Sequence, residues 1–242
     1  EHFAQCSCPP RGGKMLRLSV GKLQPASTLF LLCDVQERFR SLIYQAETVV
    51  NTSRYLVQIS RELGIPVIAT QQYTRAFGPT CPEIPLTAPE PEESGAPKAT
   101  DIPVFEKKLF SMITDEVGTA LDQCGPSLRS VVLFGQETHV CVQQTCLDLL
   151  ERGLEVHVVA DGCSSQRPTD REVALQRMAQ SGAFVTTAES LVFMLMRSAA
   201  HPNFKKVSAL TKAHFELPNG LQGGANIPPL PAPTNTSEES KL

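Results

Sequence analysis

Short, almost wholly apolar runs alternate along the chain with segments of helical periodicity, and this alternation is the feature that most constrains the fold. Thr28–Cys33 is a continuous apolar run, as in a strand that is buried on both faces of a parallel sheet. Four further strands are predicted at Pro66–Thr70, Arg129–Phe134, Glu155–Ala160 and Ala183–Thr186. This order predicts an α/β protein with a three-layer, Rossmann-like fold and a doubly wound parallel sheet of five or six strands.

Helical periodicity separates these strands. Glu47 to Leu63 carry apolar side chains at helical spacing, and Gly64 is placed to end that helix. Later helices are predicted at about Cys141–Arg152, Asp170–Ser181 and Ala188–Ser198. Capping boxes are predicted at the starts of the last two, by Thr169 with Glu172 and by Thr186 with Glu189. In such a fold ligands bind at the carboxyl ends of the strands, so reactive residues there are the first candidates for function.

Proline placement divides the 242 residues into one domain with two irregular ends. Seven prolines lie between Pro79 and Pro103, and five lie between Pro218 and Pro233. The first group predicts a long loop over Gly78–Pro103, over or beside the carboxyl edge of the sheet, and the second predicts a disordered tail. We therefore expect an irregular leader over residues 1–24, one α/β domain over 25–215, and a Pro-rich tail over 216–242.

Charge and motifs exclude several function classes. The formal net charge is -3 and no polybasic segment is present, so no nucleic-acid partner is expected. No apolar run reaches the roughly 18 residues of a membrane span, so no membrane association is expected. Neither a Gly-x-Gly-x-x-Gly turn nor a phosphate-binding P-loop follows a strand, so no nucleotide cofactor is expected. The eight cysteines form no Cys-x-x-Cys pair, which favours free thiols in a reducing compartment.

Three reactive residues follow predicted strands or extended segments. Asp34 comes directly after Thr28–Cys33, where a carboxylate is either a catalytic group or a turn-forming and helix-capping residue. Cys141 opens a predicted helix, whose amino-terminal dipole favours a thiolate, although a single Cys is more often a buried structural residue. Lys107 follows a short extended segment and either stabilises the negative forms of the other two or belongs to a solvated pair with Lys108.

The segments around these residues resemble the isochorismatase-like cysteine hydrolase family, in its eukaryotic isochorismatase-domain-containing branch. The matching segments run in order over about Leu23 to Lys212: Leu32–Phe39 (LCDVQERF), Lys107–Met112 (KKLFSM), Gly135–Thr145 (GQETHVCVQQT), Asp161–Ser165 (DGCSS) and Ser181–Thr187 (SGAFVTT). Several ordered motifs over that length make the resemblance specific.

The resemblance implies a catalytic triad. Asp34 corresponds to the general base, Cys141 to the nucleophile and Lys107 to their charge partner. Lys107 is chosen over Lys108 because the family places its Lys three residues before an aromatic residue, here Phe110. The resemblance also implies an oxyanion and cis-peptide group of Gln36, Gln136 and Glu137, with the cis bond at Gln136–Glu137 and an oxyanion hole made by the backbone N–H groups of Glu137 and Cys141. It further implies a substrate pocket lined by Gln36, Phe39, Tyr73 and Thr138.

The same resemblance limits the chemistry. Metal-binding members carry an Asp-x-His pair after the second strand, where this chain has Thr70-Gln71-Gln72-Tyr73, so neither a metal nor another cofactor is expected. Members with the Cys act as amidases through an acyl-thioester, which predicts a hydrolase of a small amide-like substrate and a homo-oligomer. The alternative is a binding or scaffold protein that keeps the fold, oligomerises and does not turn over a substrate.

The last three residues, Ser240, Lys241 and Leu242, match a peroxisomal import signal. They predict a peroxisomal location and an import receptor as a partner. The basic, acid-poor stretch after His2 leaves the mitochondrion as an alternative, and the cytoplasm is the other.

Overall fold

A computed structural model describes residues 19–88 and 100–218 and contains one parallel sheet flanked by helices. The strands are β1 (Thr28–Cys33), β2 (Val67–Gln72), β3 (Val104–Lys107), β4 (Ser130–Gln136), β5 (Glu155–Ser164) and β6 (Phe184–Thr186). The helices are α1 (Ala46–Leu63), α2 (Thr74–Phe77), α3 (Asp115–Gln123), α4 (Gln143–Glu151), α5 (Pro168–Gln180), α6 (Ala188–Met196) and α7 (Phe204–Phe215). The doubly wound parallel sheet predicted from the sequence is confirmed, with six strands.

The strand order is β3-β2-β1-β4-β5-β6, and every adjacent pair is parallel. Every residue of β1 and β4 is buried, as their apolar sequences require for strands covered on both faces. The direction in which strands are added reverses between β1 and β4. The strands β2 and β3 lie on one side of β1, and β4, β5 and β6 lie on the other. The carboxyl ends of β1 and β4 therefore flank the crevice in which doubly wound sheets bind ligands.

The sequence pattern gave the strands more accurately than the helices. The helices α2, α3 and α7 were not predicted, and the helix predicted from Cys141 begins as an α-helix only at Gln143. A five-residue turn of wider, π-helical geometry over Thr138–Val142 comes before it and contains Cys141.

Both predicted capping boxes are wrong. Thr169 lies inside α5, which begins at Pro168, a residue suited to the first helical position because it has no N–H to satisfy. At the start of α6 the Ala188 N–H donates to Asp161 Oδ1 at 2.8 Å instead of to the side chain of Thr186. The cap thus comes from a strand 27 residues earlier, a contact that local sequence does not show.

The first part of the Pro-rich loop lies against the carboxyl edge of the sheet. Thr80 forms an isolated antiparallel bridge with Gln36, and the Cys81 N–H donates to the Val35 carbonyl at 2.9 Å. The leader up to residue 18, the loop residues 89–99, and the tail from residue 219 with its Ser240, Lys241 and Leu242 lie outside the described residues. Within the described part, no helix is both long enough and apolar enough to cross a membrane.

Candidate active site

Asp34, Lys107 and Cys141 come together at the carboxyl edge of the sheet. Asp34 directly follows β1, Lys107 is the last residue of β3, and Cys141 lies in the π-helical turn after β4. Since β2 separates β3 from β1, the two strand axes are about 9.6 Å apart. The long Lys side chain is needed to cross that gap, and it meets the carboxylate on the far side of β2.

The Lys107 ammonium and the Asp34 carboxylate form a buried ion pair. Lys107 Nζ lies 2.6 Å from Asp34 Oδ2, with side-chain exposures of 0% and 1%. The ammonium also donates to Gln72 Oε1 at 2.7 Å and to the carbonyls of Phe110 and Leu109 at 2.9 and 3.1 Å. Its neighbour Lys108 is exposed and lies 5.7 Å from the ring centroid of Tyr73. The contact with Asp34 is therefore made by Lys107 and not by Lys108.

The other oxygen of the carboxylate is held by β2. Thr70 Oγ1 donates to Asp34 Oδ1 at 2.8 Å, and the Asp34 N–H donates to the Thr70 carbonyl at 3.2 Å. Asp34 has a positive φ of 49°, so the chain turns sharply as it leaves β1. Both carboxylate oxygens thus have fixed partners, which sets the orientation of the group.

The Cys141 sulfur lies beside this ion pair and beside a second thiol. The Sγ atoms of Cys33 and Cys141 and a carboxylate oxygen of Asp34 all lie within 4.8 Å of one another. Cys33 Sγ donates to Asp34 Oδ2 at 3.6 Å. The exposures of Cys33, Asp34 and Cys141 are 0%, 1% and 7%, so Cys141 is the member of the group closest to solvent.

Thr145 holds the turn that carries Cys141. Thr145 Oγ1 donates to the Cys141 carbonyl at 2.7 Å and accepts from the Met112 N–H at 2.8 Å. Both bonds are buried, so they connect the Cys141 turn to the segment after Lys107 without competition from water.

A glycine allows β4 to approach β1 closely next to the site. Gly135 pairs with Cys33 and has a φ of 129°, outside the range that other residues adopt readily. A Cβ at this position would lie 2.0 Å from the Cys33 carbonyl oxygen. Gly135 is therefore required for the separation between Asp34, at the end of β1, and the Cys141 turn that follows β4.

The surroundings shift two pKa values in the site. Burial, together with neighbouring Cys141 and Asp34, raises the pKa of the Cys33 thiol well above its usual range, which keeps this thiol protonated. Burial by itself would lower the pKa of Lys107, but its Coulombic interactions with neighbouring Cys33, Asp34 and Cys141 and its hydrogen bond to Asp34 outweigh burial and raise that pKa. The site therefore holds an ammonium at neutral pH.

A cis peptide joins Gln136 and Glu137, at the position that the family resemblance implied. Glu137 is held after it, because Gln166 donates its backbone N–H to Glu137 Oε2 at 3.1 Å and its amide to Oε1 at 3.2 Å. Gln136 Oε1 and Thr138 Oγ1 are buried and have no hydrogen-bond partner within the described ranges. These two unpartnered polar atoms flank Glu137 next to the Cys141 turn.

The Gln36 side chain connects the ends of two strands, and its role at the oxyanion site stays a prediction. Its amide nitrogen donates to the carbonyls of Gly78 and Gln72 at 2.6 and 3.1 Å, and its Oε1 accepts from the Gln72 N–H at 2.7 Å. Both N–H groups of the amide are engaged, so none is left for a substrate. Gln36 instead holds the end of β1 against the end of β2 and the start of the Pro-rich loop.

The expected pocket residues lie in different surroundings. Phe39 is buried and stacks on Phe77 at a centroid distance of 4.7 Å, in a small cluster with Ile43 and Ala46. Tyr73 follows β2 and is 39% exposed. Their roles in substrate binding, like that of buried Thr138, stay predictions.

The last residues of β2 do not fit the metal site of metal-binding family members. Gln71 donates to Thr80 Oγ1 and accepts from Thr74 Oγ1, both at 3.0 Å. Gln72 is held by Lys107 and Gln36, and no carboxylate or imidazole stands at these positions. Among the described residues, the group with metal-ligating chemistry is Cys33, Asp34 and Cys141.

Reasoning from sequence missed the residues that position the site: Cys33, Thr70, Gln72 and Thr145. Two signals were available, since Thr70 and Gln72 are polar residues at a strand end and Thr145 is one helical turn after Cys141. The proximity of Cys33 to Cys141 required the strand order, because 107 residues separate them. In this group the Asp34 carboxylate, which the Lys107 ammonium holds in place, can accept the proton of a thiol.

Comparisons with known proteins found a matching family model and similar sequences. A family model described as the isochorismatase domain matches residues 28–190. The chain is 47% identical over 194 residues to isochorismatase domain-containing protein 1 of Salmo salar, covering 80% of this chain and 64% of that relative. The chain thus spans about two thirds of that relative's length.

Two solved structures share this fold. A structure described as MAR1 ribonuclease from Caenorhabditis elegans is 39% identical, has a TM-score of 0.69 and matches over 78% of this chain and 91% of its own. The YcaC gene product of Escherichia coli is described as an octameric hydrolase of unknown specificity. It is 21% identical with a TM-score of 0.71, over 82% of this chain and 93% of its own, and so shows the fold alone.

Proposed function

Because the chain belongs to the isochorismatase family, we propose that it is a cysteine-dependent hydrolase that cleaves a small amide-like substrate through an acyl-thioester. The observation that carries the proposal is the buried Asp34–Lys107 ion pair at 2.6 Å beside the Cys141 sulfur. A carboxylate held by an ammonium next to a thiol is an arrangement that activates a nucleophile. A purely structural Cys does not require this arrangement, since a buried thiol packs as a small apolar group.

Asp34 acts first as a general base. It takes the proton of the Cys141 thiol, and the thiolate attacks the carbonyl carbon of the substrate. The electron pair of the carbonyl moves to oxygen, and the backbone N–H groups of Glu137 and Cys141 stabilise the negative charge. Lys107 holds Asp34 in position throughout and keeps its charge.

Asp34 then acts as a general acid. The tetrahedral intermediate collapses, the carbon–nitrogen bond breaks and the proton on Asp34 goes to the leaving amine. Water attacks the remaining Cys141 thioester, with Asp34 again taking a proton, and the free thiol and a carboxylic acid result. The second half-reaction thereby restores the starting protonation state.

The charge of the site favours a neutral substrate over a polyanion. The buried Lys107 is paired with Asp34, so the ion pair as a whole presents no net charge to the crevice. RNA binding depends on cations that neutralise phosphates. RNA is nevertheless the contrasting substrate class for a test, because a relative carries the name of a ribonuclease.

The decisive experiment is a substrate screen with matched cysteine variants. Wild type, Cys141→Ala and Cys146→Ala are incubated with a library of small amides and with a single-stranded RNA, and products are measured by mass spectrometry. Cys146 is the control because it is fully buried in α4 and lies outside the site. We expect Cys141→Ala to lose at least about 1,000-fold in amide turnover, and Cys146→Ala to retain it.

Circular dichroism and urea unfolding show whether each variant is folded. A folded Cys141→Ala protein with wild-type turnover would contradict the proposal, and so would RNA cleavage that does not depend on Cys141. If wild type turns over no amide and iodoacetamide labels Cys141 no faster than the other thiols, the chain is a binding or scaffold protein. The homo-oligomer, and peroxisomal import through Ser240, Lys241 and Leu242, stay predictions.

A further inference from the structure

Cys33, Asp34 and Cys141 form a compact set of ligand atoms, here called the thiol–carboxylate trio. Their two sulfurs and a carboxylate oxygen lie within 4.8 Å of one another. Of these three residues, the hydrolysis proposed above uses only Asp34 and Cys141. The trio is therefore larger than the reaction requires, because it contains a second thiol beside the nucleophile.

The donor set matches one class of metal ion. Zn²⁺ binds thiolates at about 2.3 Å and carboxylates at about 2.0–2.2 Å in tetrahedral geometry, which places two ligating sulfurs about 3.8 Å apart. The two sulfurs lie within 4.8 Å of each other, which exceeds that spacing by at most about 1 Å. Mg²⁺ and Ca²⁺ require six or more oxygen ligands, which two thiols and one carboxylate do not provide.

Lys107 is compatible with a bound cation because charge balances. The Asp34 carboxylate and the Lys107 ammonium balance each other's charge in the ion pair. When Zn²⁺ binds, each thiol releases its proton to solvent and two sulfur–zinc bonds form, so two negative sulfurs offset the two positive charges of the ion. The net charge of the site does not change. The lone pair of Asp34 Oδ2 that accepts from the Cys33 thiol becomes free for the metal once that thiol loses its proton, while Lys107 holds the other lone pair.

We propose that the thiol–carboxylate trio is an inhibitory site for a thiophilic divalent cation, Zn²⁺, with Cys33, Asp34 and Cys141 as its three protein ligands. Bound metal occupies the Cys141 sulfur and the Asp34 carboxylate, so the nucleophile and its base are both removed from catalysis. The inhibition rests on the proposed hydrolase function, whereas the binding does not. A variant of Cys33 distinguishes metal binding from hydrolysis, because Cys33 would ligate the metal but neither attacks the substrate nor transfers a proton.

The binding experiment uses the full chain in a Cys6→Ser/Cys8→Ser background, because those two thiols lie outside the described residues. Metal-free protein is titrated with Zn²⁺ by calorimetry and with Co²⁺ by absorption spectroscopy, which detects thiolate ligation through a charge-transfer band. We expect one ion per chain with that band. Cys33→Ser is expected to weaken binding by at least roughly 100-fold, because even changes outside the ligand shell cost about 10–100-fold.

Two controls make the result specific. Cys146→Ser removes an equally buried thiol outside the trio and should bind Co²⁺ and Zn²⁺ like the background protein. Mg²⁺ should not compete with Zn²⁺ for the protein. Absence of the charge-transfer band, or the same Zn²⁺ affinity in folded Cys33→Ser, would overturn the metal site.

Turnover distinguishes failure of this site from failure of the proposed function. Once a substrate is known, the turnover of each protein is measured relative to its own metal-free rate, and the Zn²⁺ concentration that halves this rate should be much higher for Cys33→Ser than for the background enzyme. If the protein hydrolyses a substrate but binds no metal at the trio, the metal site is refuted and the proposed hydrolase function is not. If Co²⁺ binds with the thiolate charge-transfer band and no substrate is found, the metal site is supported and the hydrolase function is not.

Discussion

At the scale of single residues, the Asp34–Lys107 pair is the contact on which the site depends. Removing a carboxylate and an ammonium from water costs several kcal/mol for each ion, and their mutual attraction recovers this only with additional hydrogen bonds. Thr70 supplies such a bond to Asp34, and Gln72 and two carbonyls supply them to Lys107. Loss of either partner would leave one charge buried and uncompensated.

This predicts strong coupling in a double-mutant cycle. Lys107→Met and Asp34→Asn are each expected to lower the free energy of unfolding by about 3–5 kcal/mol, and the double variant by much less than their sum. Urea unfolding followed by circular dichroism measures all four proteins. Lys108→Met is the matched control, because its exposed side chain should contribute within about 0.5 kcal/mol.

Additive losses in the two single variants would contradict a buried pair. Turnover separates stability from chemistry, because all three variants at positions 34 and 107 are expected to be inactive while Lys108→Met remains active. The recovery of stability without activity would show that the pair is kept for the reaction.

At the scale of elements, the site depends on how closely β4 packs against β1. The apolar runs of both strands place them in the buried centre of the sheet. Their separation next to the site is set by Gly135, where any side chain would collide with the Cys33 carbonyl. The absence of a Cβ at Gly135 thus allows β4 to approach β1 as closely as the site requires.

Gly135→Ala is expected to destabilise the protein by on the order of 3–5 kcal/mol, because it adds a clash in the core to a disallowed backbone angle. Gly64→Ala is the control: Gly64 also has a positive φ, of 65°, but a Cβ there meets nothing within 4 Å. That control should cost about 1 kcal/mol. Urea unfolding measures both, and equal losses would show that the close approach does not matter.

At the scale of the whole molecule, two buried ionisable groups give stability opposite pH dependences. Burial lowers the pKa of His157 to about 4, and no described residue hydrogen-bonds its Nε2. Burial raises the pKa of Asp161, whose Oδ1 caps α6, to about 6. The unfolded values are about 6.5 for His and 3.9 for Asp.

The direction in which stability changes with pH depends on whether the folded or the unfolded state is protonated first as the pH falls. As the pH falls from about 6.5 to 4, the unfolded chain protonates His157 before the folded protein does, so stability is lost. Over nearly the same range the folded protein protonates Asp161 first, so stability is gained. Each effect is on the order of 3 kcal/mol, and the two largely cancel.

Single variants should expose each contribution. Relative to wild type, His157→Phe should gain about 3 kcal/mol of stability as the pH falls from 6.5 to 4, and Asp161→Asn should lose about the same. Urea unfolding at several pH values measures these differences, in which the other titrating groups and any constant packing effect cancel. Differences that do not change with pH would contradict the assignment of both shifts to burial.

The sequence by itself determined the elements that burial and periodicity dictate. An apolar run such as Thr28–Cys33 is stable only between two covering layers, so the sheet and its carboxyl edge followed from the pattern. The family motifs then identified Asp34, Lys107 and Cys141. The peroxisomal signal in the tail depends on sequence alone and stays a prediction.

Only the tertiary structure decided how these residues meet. The strand order brings Cys33 beside Cys141, Asp161 caps a helix 27 residues away, and Thr145 connects the Cys141 turn to Met112. Each contact joins segments that are distant in sequence, whereas local patterns report periodicity and nearby caps. The physical reason is that hydrogen bonds and charges act over a few ångströms in space, and the packing of the sheet alone brings those atoms within that distance.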